Sequence, residues 1–114
     1  MRTTIIFSLA LACSFVSTGQ STALQSLTAD YQRNRELTIS YLEAMPAEQY
    51  NFKAADGTRT FAEQMLHAAQ GMIGLSANGT GADRIYPGKN LEKDPDLQSK
   101  AEVTRIVTEA YIMP

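Results

Sequence analysis

The chain has 114 residues, of which 44% are hydrophobic and 19% are charged, and its formal net charge is −2. That length suffices for one small domain and is too short for two. The mild acidity argues against a nucleic-acid partner, because phosphate backbones are bound by basic surfaces. Cys13 is the only cysteine in the sequence, which excludes an intrachain disulfide and a cysteine-based zinc site.

Residues 1–23 follow the pattern of a secretory signal peptide. Arg2 is their only charged residue, an apolar run follows it, and small residues precede a predicted cleavage site after Ala23. The apolar run is shorter than the roughly 20 residues that a membrane-spanning helix needs, so we expect no transmembrane span. The mature domain would then comprise residues 24–114.

Lipoprotein processing is the alternative interpretation of the same stretch. The sequence ALAC ends at Cys13, which would be the lipidated residue. Ala10 and Leu11 match the consensus of such a box poorly, so cleavage after Ala23 is the preferred prediction. Both alternatives predict an exported protein, periplasmic or secreted.

The first amphipathic segment of the mature domain predicts a helix over residues 26–45. Seven of its residues recur with helical spacing and are expected to face the core: Leu27, Tyr31, Leu37, Thr38, Tyr41, Leu42 and Met45. Pro46 ends this helix, because proline disfavours helical geometry in the residue before it and has no amide donor. Residues 46–59 form a connector, and we expect its Tyr50 and Phe52 to fold back onto the core.

The second helix is predicted to begin at Thr60. Glu63 follows three residues later, which is the spacing of a capping box, and the helix is expected to continue to Leu75. Residues 76–98 are rich in Gly, Asn, Asp and Pro and predict a long loop. Its acidic cluster is interpreted as solvated: Glu92, Asp94 and Asp96.

The third helix is predicted to begin at Ser99, with Glu102 three residues later in a second capping pattern. Its apolar residues follow at helical spacing: Val103, Ile106, Val107, Ala110 and Tyr111. No alternating run of β-branched residues occurs after the signal peptide, so the strands of another fold class are not predicted. The predicted fold class is therefore all-α.

His67 is the only histidine in the chain and lies on the predicted second helix. It falls outside the apolar arc of that helix and shares a polar strip with Glu63, Gln70 and Gly71. Spacing alone leaves two interpretations open: a solvated surface histidine, or a metal ligand, since neutral imidazole commonly binds zinc, nickel or iron. One ligand does not hold an ion, because a catalytic zinc normally has three protein ligands. Glu63 is expected to cap the helix instead.

Residues 41–70, YLEAMPAEQYNFKAADGTRTFAEQMLHAAQ, resemble the DinB-like superfamily, particularly its exported bacterial members. The resemblance rests on MPAEQYNF and on the pattern Ser/Thr-Phe-x-Glu-x-x-x-His, and residues 99–111 resemble the start of the family's third helix. It implies an up-down four-helix bundle that holds a divalent metal (zinc, nickel or iron) with three histidines. His67 matches the position on the second helix. The other two positions, on a later helix, have no counterpart, so the metal site is expected to be incomplete in this chain.

Two functional expectations follow. The resemblance implies a metal-dependent enzyme of the thiol-transferase or hydrolase type, with substrate and catalytic residues unidentified, whose last helix this chain lacks. The alternative is a metal-free helical binding or interaction domain, or an inactive fragment. Three helices from a four-helix bundle leave apolar surface exposed to water, which costs about 25 cal/mol per Å². A homodimer that covers this surface is therefore one expected partner arrangement.

Overall fold

The structure is a computed structural model that describes the backbone of residues 2–113 and the side chains of residues 22–113. The predicted signal peptide, residues 1–23, therefore lies outside the described side chains, apart from Thr22 and Ala23. Within the described residues, no helix combines the length and the hydropathy needed to cross a lipid bilayer.

Three α-helices account for most of the described chain: α1 (Arg2–Ala44), α2 (Phe61–Thr80) and α3 (Lys100–Ile112). Three short 3-10 helices lie between them: η1 (Ala47–Gln49), η2 (Leu91–Lys93) and η3 (Pro95–Leu97). Over residues 2–113 there is no strand, and the one isolated antiparallel bridge joins Lys53 to Thr60. The structure is thus mostly helical, in agreement with the predicted all-α class.

The chain divides into two compact units, residues 1–37 and 38–114. In the first unit the described side chains belong to one helix, and its large apolar residues are exposed. Leu27, Tyr31 and Leu37 are 67%, 43% and 47% exposed. The prediction that these three residues face a core is wrong, because one helix within this unit offers no second apolar surface to cover them.

The hydrophobic core lies in the second unit. Its buried residues come from all three helices and from the segments between them: Leu42, Tyr50, Ala62, Leu66, Ala69, Ile73, Leu91, Leu97, Val103, Ile106, Val107 and Ala110. Four of the five apolar residues predicted to form the face of α3 are among them, while the fifth, Tyr111, is half-buried against the same cluster. The Tyr111 hydroxyl shares a 2.9 Å hydrogen bond with Thr38.

The C-terminus of α1 is capped by side chains from two later segments. The Tyr50 hydroxyl donates to the carbonyl oxygen of Leu42 at 2.7 Å. The Lys100 ammonium donates to the carbonyl oxygens of Glu43 and Met45, each at 2.9 Å. The Leu42 and Glu43 carbonyls belong to the last turn of α1, where no intrahelical donor is available, and the Met45 carbonyl follows directly after the helix. The side chains therefore satisfy polar groups that helix formation leaves without partners.

Tyr50 and Phe52 meet the core in different ways, although both were predicted to fold onto it. The Tyr50 ring is 2% exposed and packs edge-on against Phe61, with ring centroids 5.0 Å apart. Burial raises the pKa of its hydroxyl. Phe52 contributes its backbone, whose carbonyl accepts from the Phe61 amide at 3.0 Å, while its side chain is 52% exposed. The prediction is confirmed for Tyr50 and wrong for the Phe52 side chain.

Both predicted N-terminal caps are confirmed. The Thr60 hydroxyl accepts from the Glu63 amide at 3.1 Å, and the Glu63 carboxylate accepts from the Thr60 amide at 2.8 Å, which completes a capping box. The Ser99 hydroxyl accepts from the Glu102 amide at 3.3 Å. Helix α2 extends five residues beyond the predicted end at Leu75 and stops at Gly81, whose φ of 75° breaks the helix.

Candidate functional site

Glu63, His67 and Gln70 lie on one face of α2 at helical spacing, and we call them the polar strip. The segment after α2 returns across this face and places η2 against it. Each residue of η2 contacts one residue of the strip, in antiparallel order: Leu91 contacts Gln70, Glu92 contacts His67, and Lys93 contacts Glu63. The predicted long loop therefore contains an ordered segment that contacts the only histidine of the sequence.

Leu91 fixes η2 to the helix through both its backbone and its side chain. Its amide donates to the Gln70 side-chain oxygen at 2.8 Å. Its side chain is 1% exposed and belongs to the core. Burial of a leucine side chain contributes roughly 1.5–3 kcal/mol relative to exposure, which exceeds the worth of the surrounding surface contacts. Leu91 is accordingly the anchor that sets the register of its two charged neighbours.

Glu92 joins two basic side chains at one carboxylate oxygen. Arg59 Nε donates to Glu92 Oε2 at 2.7 Å, and His67 Nδ1 lies 2.9 Å from the same atom. The Glu92 side chain is only 14% exposed, against 54% for His67. The hydrogen bond from Arg59 holds the pKa of Glu92 below its usual value, with a smaller contribution from the charges of Arg59, His67 and Lys93. Glu92 is therefore an ionised acceptor at neutral pH.

Both carboxylate oxygens of Glu63 accept hydrogen bonds from other residues. Oε2 accepts from the Thr60 amide, and Oε1 accepts from the Lys93 ammonium at 2.9 Å. The backbone hydrogen bond from Thr60, followed by the one from Lys93, lowers the pKa of Glu63. The prediction that Glu63 caps α2 is confirmed.

The two ring nitrogens of His67 have different surroundings. Nδ1 faces the Glu92 carboxylate, while Nε2 makes no hydrogen bond with any described residue. The contact with Glu92 is an ion pair, and a carboxylate beside the second ring nitrogen is a common partner of a metal-binding histidine. Nε2 is therefore the ring nitrogen that remains open to a ligand.

A metal at His67 would need further ligands, and the described part of the chain shows no complete set. Across those residues, no group of three or more His, Cys, Asp or Glu side chains is arranged to hold a metal ion. The residues present fit one coordination position and leave the others to be supplied from elsewhere. The prediction of a metal at His67 stays a prediction.

Sequence reasoning placed His67, Glu63 and Gln70 on one strip but missed the residues that pair with them. The sequence pattern predicts that Glu92 is solvated, and it gives no signal for Arg59. Their positions relative to His67 depend on how the segment after α2 folds back, and no local pattern encodes that return.

No family model, curated protein or solved structure matches the chain.

Proposed function

We propose that this chain is an exported DinB-like domain that contributes His67 as one ligand of a divalent metal, zinc, nickel or iron. The observation that carries the proposal is the contact between His67 Nδ1 and Glu92 Oε2 at 2.9 Å, which leaves Nε2 as the unoccupied nitrogen of a half-exposed ring. The family resemblance of residues 41–70 supports the same residue. The remaining ligands would come from a further segment or from a second chain.

Arg59 and Glu92 would act as positioning residues for the imidazole. Arg59 would keep Glu92 ionised and in place, and Glu92 would orient the ring through its ion-pair contact with Nδ1. A metal bound at Nε2 would supply Lewis acidity for reactions of the thiol-transferase or hydrolase type.

The state of His67 is directly measurable, because the chain has only one imidazole. Nitrogen-15 NMR of the ring should show the neutral form protonated on Nδ1. Glu92→Ala should shift the ring toward the other tautomer. Glu48→Ala removes an exposed carboxylate from η1, outside the strip, and is the matched control that should leave the ring unchanged.

Metal content and metal titration test the ligand itself. We expect added zinc or nickel to perturb Nε2 before Nδ1, and metal that copurifies with the protein to be lost in His67→Ala. Glu92→Ala should retain weaker binding, because second-sphere partners of a metal-bound histidine typically contribute about 10-fold to 100-fold in affinity. Uptake that is unchanged in His67→Ala, or the absence of any uptake of zinc, nickel or iron, contradicts the proposal.

A metal-free interaction domain is the second candidate, and exposed apolar side chains in the second unit favour it. They are Tyr41, Phe52, Leu75 and Ile112, which are 58%, 52%, 75% and 67% exposed. A second copy of the chain is the partner that the sequence predicts for such surface. Sedimentation with and without added zinc separates the two candidates: a dimer that forms equally in both conditions and persists in His67→Ala supports the metal-free function.

A further inference from the structure

A cavity of about 290 Å³ lies between α2 and residues 84–91 of the following segment. Gln70, Ile73 and Gly74 line it from the helix, and Arg84 and Lys89 line it from the opposite side. Ligand pockets in proteins are usually roughly 300–1,000 Å³, so this one has room for a small molecule only. It adjoins the polar strip through Gln70 but contains neither His67 nor Glu92.

The charge of the cavity is positive. Arg84 and Lys89 are its only charged lining residues, and none of the lining residues is acidic. The Arg84 guanidinium donates to the neutral Asn78 side chain at 2.9 Å and pairs with no described carboxylate. Lys89 has one distant ion pair, 3.8 Å from Asp94, which does not line the cavity. Both cations can therefore form charge-assisted hydrogen bonds with an anionic ligand.

The remaining wall combines a hydrogen-bond donor with apolar surface. The oxygen of the Gln70 amide accepts from the Leu91 backbone, which leaves its nitrogen available to donate. Ile85 and Tyr86 are partly exposed and supply the apolar surface of the lining, while Ile73 and Leu91 are 4% and 1% exposed. A ligand that matches both parts has an anionic group at one end and an apolar body at the other.

Two costly features of the backbone border the cavity. Gly74 lies inside α2, where glycine is less favourable than alanine, and a Cβ at this position would be 4.0 Å from Arg84 Cζ. Tyr86, also in the lining, has a φ of 56°, which is strained for a residue other than glycine. Hydrogen bonds of its hydroxyl with Arg105 and Glu109 hold it there. Strained residues that are fixed in this way cluster at ligand sites.

We propose that this cavity binds a small organic carboxylate, with the carboxylate held between Arg84 and Lys89 and the apolar part against Ile85 and Tyr86. The site does not depend on a metal at His67. Inorganic phosphate shares the charge but lacks the apolar body, and an uncharged amide shares the body but lacks the charge. These two compounds therefore separate the contributions of the cations and of the apolar wall.

The test is an NMR titration of the nitrogen-15-labelled full chain with benzoate, benzamide and inorganic phosphate. Benzoate should shift the amide signals of residues 84–91 and bind about tenfold more tightly than benzamide, because charge-assisted hydrogen bonds are among the stronger polar contacts. Phosphate should bind more weakly than benzoate. Arg84→Gln should weaken benzoate binding by about tenfold, while Lys53→Gln, a matched loss of an exposed cation outside the cavity, should leave it unchanged.

Several results would overturn the proposal. These are no shifts at residues 84–91, equal binding of benzoate and benzamide, phosphate binding as tight as benzoate, or equal effects of Arg84→Gln and Lys53→Gln. Lys89→Gln is the second variant if Arg84→Gln loses its helical circular dichroism. Gly74→Leu places a side chain in the cavity and should abolish benzoate binding, and retained binding in a folded Gly74→Leu protein also contradicts the site.

Discussion

The two segments that join the helices of the second unit are attached to it in opposite ways. The first connector, residues 45–60, has one buried residue, Tyr50. The second connector, residues 81–99, has two buried leucines, Leu91 and Leu97, and every residue of η2 contacts the polar strip. The longer segment, which the sequence predicts to be a long loop, is the more firmly held.

The difference shows that a connector is held by the polar groups of the helix that it faces, and that its length does not decide how firmly it is held. The strip of α2 presents carboxylate, imidazole and amide groups at helical spacing, and η2 presents matching partners around one buried leucine. The first connector instead contacts the start of α2 through backbone hydrogen bonds. The Tyr50 carbonyl accepts from the Ala62 amide, and the Phe52 carbonyl accepts from the Phe61 amide. The side chains of this connector are consequently left mostly in solvent.

The largest effect is expected when the anchor of the second connector is removed. Leu91→Ala deletes a buried side chain and should lower the free energy of unfolding by about 2–4 kcal/mol, because it loses transfer energy and leaves a cavity. Phe52→Ala, its counterpart in the first connector, should cost less than about 1 kcal/mol, because Phe52 is 52% exposed. Urea unfolding measures both. Equal losses would mean that the two connectors do not differ as described.

The second largest effect concerns the one buried residue of the first connector. Tyr50→Phe keeps the ring but removes the hydroxyl that donates to the Leu42 carbonyl, and this should cost about 1–2 kcal/mol because a buried acceptor loses its partner. Tyr41→Phe makes the same chemical change at a side chain that is 58% exposed and serves as the control. A loss in Tyr41→Phe as large as in Tyr50→Phe would contradict the assigned hydrogen bond.

The features that were predictable from the sequence are those whose partners lie close together in the chain. The caps at Thr60 and Ser99 each involve a residue three positions later, so their signals are local. The apolar face of α3 follows from helical spacing alone. The extension of α2 to Thr80 was missed because Asn78 and Gly79 are typical of loops, whereas the buried Ala77 secures that last turn.

The candidate site was predictable only in part, for the same reason. His67 could be assigned to a polar face of α2, because that assignment needs only the helical period. Its pairing with Glu92 requires the second connector to fold back, and the contacts that hold η2 join residues 21, 30 and 33 positions apart. The four-helix bundle that the resemblance implies is likewise a matter of long-range packing, and three helices are described here.

A smaller effect is expected at the boundary between the first connector and α2. Thr60→Ala removes the hydroxyl that accepts from the Glu63 amide and should cost about 1 kcal/mol, which is typical for loss of a helix N-cap. Thr60→Ser keeps the hydroxyl and should be nearly neutral. The measurement is thermal unfolding followed by circular dichroism. If Thr60→Ser destabilises the protein as much as Thr60→Ala, the capping hydroxyl is not the cause.

The smallest effect is expected in the pH dependence of stability. It arises from the ion pair between Arg59 of the first connector and Glu92 of the second connector. Because Arg59 lowers the pKa of Glu92 in the folded state, this pair stabilises the fold above the ordinary carboxyl value of 4.5 and loses its contribution as pH falls below it. Arg59→Gln removes the main cause of the lowering, so its urea midpoint should fall less steeply on acidification. Glu63 and Glu109, whose pKa values are also lowered, affect both proteins alike. Parallel acid curves would show that the pair adds no stability.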